Sequence, residues 1–264
     1  MTSRVSAPAR HVLLTGAAGA IGAALAHALL GRWPTLRLSL VDRDEDGLAR
    51  AAAGLGTPCH THAADLSELE ALPRHVEAIT AAAGPIDGLV NCAGVMFVRD
   101  LPTTHWADAH ELLTIDLLAP LRLQALVLPS MLAGGRGLIV NVASMAGRVP
   151  LRGAAYYGAA KAGLAMASEI ARRDLARHDI RVVTVYPGPV HSALERGART
   201  GYRGGDRGLA GLVPTGHPEP LALRIVQAIE RRAPRVIYPA PYALGWAATN
   251  LAARFALRFG PAPA

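Results

Sequence analysis

Short apolar runs alternate along the chain with longer segments whose apolar residues recur at helical spacing. The apolar runs predict seven strands, at residues 11–15, 36–41, 58–62, 86–91, 137–142, 180–186 and 235–238. The longer segments predict helices at residues 20–30, 45–54, 67–83, 105–132, 155–178 and 220–232. The strands are continuously apolar rather than alternating, as expected when helices cover both faces of a sheet. The pattern therefore predicts a single-domain, doubly wound α/β fold with a central seven-stranded parallel sheet.

The same pattern divides the chain into a domain and a few accessory segments. Residues 1–10 form a short polar tail that we expect to be flexible, and residues 11–239 form the domain. Within the domain, residues 190–217 carry seven glycines and several arginines, which indicates a mobile loop or lid over a binding site. Residues 240–264 are an apolar C-terminal extension. No internal repeat and no interdomain linker is visible.

Residues 12–30 offer an alternative interpretation, because they form an uncharged stretch long enough to cross a membrane. Three regularly spaced glycines interrupt this stretch, and its first residues have the character of a strand. A buried strand, a turn and a helix explain it better. We therefore expect a soluble protein.

Composition narrows the classes of partner and compartment. The chain has 264 residues, of which 51% are hydrophobic and 18% charged, so it can bury a large core. Its net charge of +7 raises nucleic acid as a partner, but the arginines are scattered and no basic stripe with aromatic residues is present. Cys59 and Cys92 lack metal-ligand spacing. We expect buried free thiols, no metal site, no nucleic-acid partner and a cytoplasmic location.

The first chemical motif, TGAAGAIG at residues 15–22, lies between the first predicted strand and the first predicted helix. Its glycines allow a sharp turn and a close approach of the backbone to a pyrophosphate, and the helix N-terminus favours the anion. A chain with 27 glycines contains many such glycine spacings by chance. The position of this motif at the first strand-to-helix junction is therefore the main evidence for a dinucleotide-binding turn.

An acidic residue follows about twenty positions later, where the second strand ends in SLVDRDED. The Asp42 carboxylate can accept hydrogen bonds from an adenosine ribose and would repel a 2′-phosphate, which favours NAD. Arg43, beside it, can instead bind that phosphate, which keeps NADP open. An exposed turn aspartate without a ligand is the structural alternative.

The segment AAYYGAAKAGL contains Lys161, which is the single lysine among 27 lysine and arginine residues. Tyr157 precedes it by four positions on a predicted helix, so the two side chains share a face. Ser144 ends the predicted strand GLIVNVAS. All three should converge near the carboxyl edge of the sheet, where α/β folds bind ligands.

These motifs together resemble the short-chain dehydrogenase/reductase family, in its short single-domain branch, from about residue 11 to residue 239. The resemblance rests on TGAAGAIG, on ADL at 64–66, on NCAG at 91–94, on Ser144, on YGAAK and on YPGPVHS at 186–192. It implies a Rossmann-type fold, a bound NAD(P) and assembly as a homodimer or homotetramer. The implied cofactor-binding residues are Gly16, Gly19, Ala20, Ile21, Gly22, Asp42, Arg43, Asp65, Leu66, Asn91, Ala93, Gly94, Tyr157, Lys161, Pro187, Gly188, Val190 and Ser192.

The resemblance also implies a mechanism that fits the chemistry of these side chains. Tyr157 acts as general acid when a ketone is reduced and as general base when an alcohol is oxidised. Because free tyrosine titrates near 10, the Lys161 ammonium and the positive nicotinamide ring are together expected to lower the pKa of Tyr157, while Lys161 also binds the nicotinamide ribose. Ser144 holds the substrate oxygen. His191 flanks the PGP turn and faces either substrate or solvent, whereas Tyr186 is expected to fill the core.

The sequence departs from the family pattern at a few positions. Ala20 replaces a glycine of the turn, and Gly19 leaves no basic residue where NADP-preferring relatives often carry one, which again favours NAD. Asp116 stands where the family often has an asparagine that supports a proton relay. The aspartate can keep that role, or its charge can weaken the effect of Lys161 on Tyr157. Ser192 stands where threonine is common beside the nicotinamide carboxamide.

The sequence thus predicts an oxidoreductase that interconverts a small alcohol and ketone. One alternative is a carrier- or CoA-linked 3-oxoacyl reductase, in which lid arginines bind an anionic carrier. Another is a non-catalytic dinucleotide-binding redox sensor. The C-terminal extension is expected to dock on a subunit or on the domain through a stripe containing Leu251 and Phe255, and contact with a membrane surface through Arg254 and Arg258 is its alternative.

Overall fold

The computed structural model describes residues 7–203 and 214–263. Its centre is one seven-stranded sheet in the order β3-β2-β1-β4-β5-β6-β7, and all neighbouring strands are parallel. The strands are β1 His11–Thr15, β2 Arg37–Asp42, β3 His60–Ala63, β4 Gly88–Asn91, β5 Gly137–Val142, β6 Ile180–Pro187 and β7 Arg235–Tyr238. The predicted doubly wound, Rossmann-type fold is confirmed.

Helices cover both faces of this sheet. They are α1 Ala20–Arg32, α2 Glu45–Leu55, α3 Leu72–Ala83, α4 Trp106–Leu113, α5 Ala119–Ala133, α6 Ala155–Asp174, α7 Ala193–Thr200, α8 Pro218–Glu230, α9 Tyr242–Ala247 and α10 Thr249–Phe259. A π-helical turn over residues 114–118 joins α4 to α5. Two apolar clusters, one on each face of the sheet, form most of the core.

The continuous apolar runs form strands that are buried on both faces, as predicted. All residues of β1, β4 and β5 are buried. The edge strand β3 is different: its residues HTHA are exposed or half-buried, so its two faces are not both covered. The expectation that every strand is covered on both faces is therefore wrong for β3.

The predicted flexible tail of residues 1–10 is shorter than expected. Ala9 is fully buried in one core cluster, and Ala7 packs against that cluster. The backbone N–H of Arg10 donates to the Asp87 carboxylate at 2.7 Å. Residues 7–10 therefore belong to the domain, and residues 1–6 lie outside the described part.

The apolar stretch at residues 12–30 folds as β1, a turn and α1, as predicted from its glycines. A different segment, the 28-residue helical run Trp106–Ala133, is long and apolar enough to cross a membrane by length and composition alone. This run packs against α3, α6 and the strands β4 and β5. Core helices of α/β proteins meet the same criterion.

The predicted lid is not entirely a loop. Residues 193–200 form α7, whose N-terminus is capped by the Ser192 hydroxyl, which accepts from the Glu195 N–H at 3.0 Å. Arg199 forms an ion pair with Glu195 and donates to the Thr215 hydroxyl at 2.7 Å. The glycine-rich remainder, residues 204–213 with Arg207, lies outside the described residues. The described part of the predicted lid is therefore a capped helix held by an ion pair.

Candidate active site

The residues predicted to bind a ligand lie at the carboxyl edge of the sheet. The strand order reverses between β1 and β4, and such a switch point opens a crevice between the loops that follow the two strands. Thr15 holds these loops together, because its hydroxyl accepts from the N–H groups of Cys92 and Ala93 at 3.1 and 3.2 Å. Thr15 is thus a positioning residue that the motif contained and the predicted site omitted.

The glycine-rich turn between β1 and α1 has the shape that a pyrophosphate site needs. Gly16 has a φ of 68°, and a Cβ there would lie 2.6 Å from the backbone N of Ala93. A Cβ at Gly22 would lie 2.1 Å from the Gly16 carbonyl oxygen. The helix begins after Gly19 without a side-chain cap and without an acidic residue in its first turn. Its free N–H groups therefore fit the phosphates of a dinucleotide, and Ala20 and Ile21 continue this turn.

Asp42 ends β2 beside the same turn and is half-buried. Its carboxylate accepts from the Ala18 N–H at 3.0 Å and from the Asp44 N–H at 3.2 Å. Arg43 is exposed and lies 3.8 Å from the Glu111 carboxylate. A carboxylate held by two backbone N–H groups at this position suits ribose hydroxyls, and the adjacent exposed guanidinium suits a phosphate.

The predicted adenine-pocket residues follow β3. The Asp65 carboxylate accepts from the Ser67 N–H at 2.8 Å, and this bond, assisted by Arg43, lowers the pKa of Asp65 despite partial burial. Leu66 is buried in the core. Asp65 is therefore ionised at neutral pH and shapes the loop, while Leu66 anchors it.

The predicted catalytic residues converge as expected. Ser144, Tyr157 and Lys161 are all buried, the last at 4% exposure. The Lys161 ammonium lies 5.7 Å from the centroid of the Tyr157 ring. The Ser144 hydroxyl donates to the Pro187 carbonyl at 3.4 Å and accepts from the Ala146 N–H at 3.1 Å. A phenol, an ammonium and a hydroxyl therefore meet at one end of β5.

Asp116 lies in the π-helical turn and faces Lys161 directly. Its Oδ2 is 3.2 Å from the Lys161 Nζ, and its Oδ1 accepts from the Val95 N–H at 2.8 Å. The ammonium also donates to the Val142 carbonyl at 3.3 Å. The π turn widens the helix where the carboxylate enters the site, as such turns often do at functional positions. The carboxylate predicted to lie near Lys161 therefore does.

Burial and this ion pair set the protonation of the site. Burial alone would lower the pKa of Lys161, but the Asp116 carboxylate and Tyr157 raise it, so the ammonium stays charged. Burial raises the pKa of Tyr157, and the negative charge of Asp116 adds to this rise. Lys161 and a hydrogen bond with Ser144 oppose the rise without cancelling it. Lys161 therefore acts on the Tyr157 pKa in the expected direction, but in the protein alone burial and Asp116 outweigh it, and the pKa of Tyr157 is raised.

A buried chain of polar side chains lies beneath the site. Asn91 donates through Nδ2 to the Asn141 side-chain oxygen at 2.7 Å, and Asn141 donates to the Ser168 hydroxyl at 2.8 Å. Ser168 in turn donates to the Leu164 carbonyl at 2.6 Å. This chain ties β4 and β5 to the helix that carries Tyr157 and Lys161. Asn141 and Ser168 were missed, although a polar residue inside the apolar run GLIVNV was a usable signal.

The remaining predicted residues surround the crevice in several ways. Gly94 approaches Lys161 so closely that a Cβ there would lie 3.2 Å from Nζ. Val190 is buried in a bridge with Gly216. His191 is exposed, and its ring lies 4.7 Å from that of His217. Ser192 caps α7, so its hydroxyl has a structural use besides the predicted one.

The C-terminal extension also reaches the site. Tyr242 of α9 packs on Gly188, where a Cβ would lie 2.7 Å from the ring of the tyrosine. Tyr186 fills the core, as predicted, and its ring lies 4.4 Å from that of Trp246. Tyr242 was missed because its separation from Gly188 in sequence gave no sign of the contact.

Three apolar residues, which we call the apolar wall, pack beside Tyr157. Val95, Met96 and Phe97 are half-buried and pack against the small cluster that contains Tyr157. These residues follow β4 in a loop without regular structure. The wall gives a bound substrate an apolar surface beside the acid/base candidate.

Within residues 7–203 and 214–263, no three histidine, cysteine or acidic side chains are arranged to hold a metal ion. Cys92 is unpaired, and burial raises the pKa of its thiol to about 12. The groups that the crevice offers are therefore a backbone cradle for phosphates, a carboxylate for a ribose and the Ser144, Tyr157 and Lys161 set.

The chain is similar in sequence and in structure to several known proteins. A family model described as short chain dehydrogenase matches residues 10–203. The chain is 33% identical over 232 residues to the ketoacyl reductase HetN of a Nostoc species, which covers 86% of this chain and 77% of that protein. It is also 33% identical over 220 residues to a D-threitol dehydrogenase of Mycolicibacterium smegmatis, covering 81% of this chain and 83% of the relative.

A solved structure supports the same assignment. The structure of a metagenomic short-chain oxidoreductase in complex with NADP has a TM-score of 0.72 and 29% identity, and the match covers 89% of this chain and 98% of that one. The chain belongs to the short-chain dehydrogenase family of oxidoreductases.

Proposed function

We propose that this protein is an NAD(P)-dependent oxidoreductase that interconverts a secondary alcohol and a ketone, with Tyr157 as the acid/base. The observation that carries the proposal is the convergence of Ser144, Tyr157 and Lys161 in a buried site beside the glycine-rich turn. When bound, the nicotinamide accepts or supplies the hydride. The residues that fit it are the turn from Gly16 to Gly22, Asp42 and Lys161.

The chain's own residues then have three tasks. Tyr157 gives its proton to the carbonyl oxygen during reduction and removes the hydroxyl proton during oxidation. Ser144 holds that oxygen and stabilises the charge that develops on it. Lys161, kept charged by Asp116, favours the phenolate form of Tyr157 after the proton has left. The apolar wall of Val95, Met96 and Phe97 excludes water on the substrate side.

A turnover assay that follows nicotinamide absorbance tests this proposal. Purified protein is given NADH or NADPH with neutral cyclic ketones, aliphatic ketones or a 3-oxoacyl thioester. Turnover of at least one ketone supports the proposal. Tight binding of the dinucleotide without turnover of any substrate supports the non-catalytic sensor instead.

A 3-oxoacyl thioester reductase is the second candidate, because one relative is a ketoacyl reductase. Arg196 is exposed on α7, where it can bind an anionic carrier, whereas Arg199 is paired within the lid. If the carrier hypothesis is right, Arg196→Gln raises the KM for a thioester and leaves that for a neutral ketone unchanged. Equal effects on both substrates would contradict it.

The preference between NAD and NADP is expected to depend on Asp42. Its carboxylate favours NAD, whereas the similar solved structure is a complex with NADP. We expect Asp42→Ala to lower kcat/KM for NADH by about tenfold and to raise it for NADPH, since about 1.4 kcal/mol corresponds to a factor of ten. Steady-state kinetics with both cofactors measure this change, and Asp46→Ala, an exposed neighbour on α2, is the control.

A wild-type enzyme that already prefers NADPH would contradict the proposed preference for NAD. In that case Arg43→Ala is expected to remove the preference, because its exposed guanidinium is the cation beside Asp42.

The Asp116 carboxylate is expected to restrain alcohol oxidation at neutral pH. Its charge raises the pKa of Tyr157, so less phenolate is present. Asp116→Asn removes the charge and moves the rising limb of the pH–rate profile for oxidation to lower pH. At pH 7 the rate should rise by about three- to tenfold, the scale of one partly screened charge.

The measurement is kcat/KM for alcohol oxidation from pH 6 to pH 10, with Asp174→Asn at the exposed end of α6 as control. An unchanged profile in Asp116→Asn would show that the carboxylate does not act on Tyr157. A lower rate at every pH would show that Lys161 needs this ion pair to keep its position.

A further inference from the structure

The C-terminal helix α10 has an inverted arrangement of side chains. Its alanines, Ala252, Ala253 and Ala256, are half-buried. The large apolar side chains of the same helix point outward: Leu251 is 70% exposed and Phe255 63%. Leu257 and Phe259 are also exposed. A helix that only had to cover the domain would bury its large side chains and expose its small ones.

Two arginines complete this outward face. Leu251, Phe255 and Phe259 recur at four-residue spacing along one line of the helix, and Arg254 and Arg258 form the adjacent line. All five side chains are exposed. We call them the α10 face. A phenylalanine and leucine ridge beside arginines is the side-chain combination of helices that lie in a membrane–water interface.

The segment is held at both of its ends, so the α10 face is presented by a fixed element. At its start, Trp246 packs on Tyr186 and lies under the guanidinium of Arg148, 4.2 Å from the ring centroid. At its end, the backbone N–H of Arg203 donates to the Ala262 carbonyl at 3.0 Å, and its side chain donates to the Pro263 carbonyl at 3.0 Å. The apolar exposure therefore does not result from a detached terminus.

Charge identifies the surface that fits this face. Residues 231–264 contain five arginines and no aspartate or glutamate. A second copy of the chain, docked face to face about a two-fold axis, would place arginines against arginines with no carboxylate in the segment to pair them. An anionic lipid surface supplies both the negative charge and the apolar layer that the exposed leucines and phenylalanines require.

We infer that the α10 face docks the protein on an anionic membrane surface. Arg254 and Arg258 contact lipid phosphates, while Leu251, Phe255 and Phe259 enter the acyl boundary. The segment that presents this face also contributes Tyr242 and Pro263 to the surroundings of the site, since Tyr242 packs on Gly188 and Pro263 on Gly153. Docking thus brings the site close to the lipid surface and gives it access to apolar carbonyl compounds dissolved there.

Vesicle flotation of the full-length protein tests this inference. The vesicles are phosphatidylcholine alone and phosphatidylcholine mixed with phosphatidylserine. We expect binding to the mixed vesicles only, and we expect added salt to weaken it. Arg254→Gln with Arg258→Gln should lower the partition coefficient by about 25-fold, at roughly fivefold per arginine.

A second variant, Leu251→Ser with Phe255→Ser, should abolish flotation, and Leu223→Ser is its matched control. Leu223 is also exposed, at 55%, but lies on α8. Turnover of a water-soluble ketone should stay unchanged in all of these variants, so a loss of vesicle binding by a variant can be distinguished from a loss of folding or of the proposed activity.

Two results would overturn the inference. One is equal flotation of the wild type and the Leu251→Ser/Phe255→Ser variant. The other is an absence of vesicle binding by the wild type, together with a fall in the molar mass of that variant in light scattering, which would identify a second copy as the occupant.

Discussion

Tyr157→Phe is expected to lower kcat by about 10³-fold in both reaction directions, within the range of 10² to 10⁴ that general acid–base catalysis contributes. The substitution removes one oxygen from a residue that is 9% exposed, and it leaves the ring that packs in the small cluster around Ala160. The hydroxyl is the only group lost, and it is the one that would exchange the proton with the substrate oxygen.

The neighbouring tyrosine provides a matched control. Tyr156 lies one position earlier on α6 and packs edge-on against Trp106, with ring centroids 6.4 Å apart. Tyr156→Phe should keep kcat within about twofold, because it removes one hydroxyl from a half-buried residue and keeps the ring that packs there. Cofactor affinity and thermal stability should be preserved in both variants, and a Tyr157→Phe enzyme with more than a tenth of the wild-type rate would refute the assignment.

Lys161→Arg is expected to lower kcat/KM by about 10²-fold, since misplacement of a group by about 1 Å can cost this much. The ammonium occupies a closed space: Asp116 lies 3.2 Å away, the Val142 carbonyl 3.3 Å away, and Gly94 leaves room for no more than its hydrogen. A planar guanidinium is larger and has its donors fixed in a fork. It would pair with both Asp116 oxygens and withdraw its charge from Tyr157.

Two measurements separate the roles of Lys161. The KM of the cofactor and the pH dependence of kcat report on ribose binding and on the pKa of Tyr157, respectively. Lys161→Met keeps the length of the side chain but loses its charge. It should move the rising limb of the pH–rate profile for alcohol oxidation to higher pH, because no ammonium is left to favour phenolate. Arg173→Lys on the exposed end of the same helix is the control. Normal turnover and cofactor affinity in Lys161→Arg would disprove the role.

Much of the fold was predictable because burial on two faces leaves a local trace in the sequence. Runs such as HVLLT and GLIVNV are typical of strands in a covered parallel sheet, and the turn between β1 and α1 carries glycines where a side chain would collide. The weakest predictions concerned β3 and the N-terminal tail. The burial of both segments depends on which other parts of the fold cover them. The periodicity of a segment's own sequence does not contain that information.

The candidate site likewise has features that the sequence predicted and features that it did not. Ser144, Tyr157 and Lys161 could be predicted to lie together because they carry chemistry at a fixed spacing on one strand and one helix. Asn141, Ser168 and Tyr242 were missed because their roles arise from contacts between distant segments. The direction of the Tyr157 pKa was also missed: the sequence contained the lysine, but the depth of burial and the approach of Asp116 were not visible in it.

The sequence by itself determined the sheet, the glycine-rich turn and the identity of the candidate catalytic set, because these depend on side-chain type and on spacing along a single strand or helix. The tertiary structure alone decided the ion pair between Asp116 and Lys161, the polar chain beneath the site and the outward direction of the α10 face. Each of these depends on the distance between segments far apart in the chain, and such distances are set by packing of the whole domain.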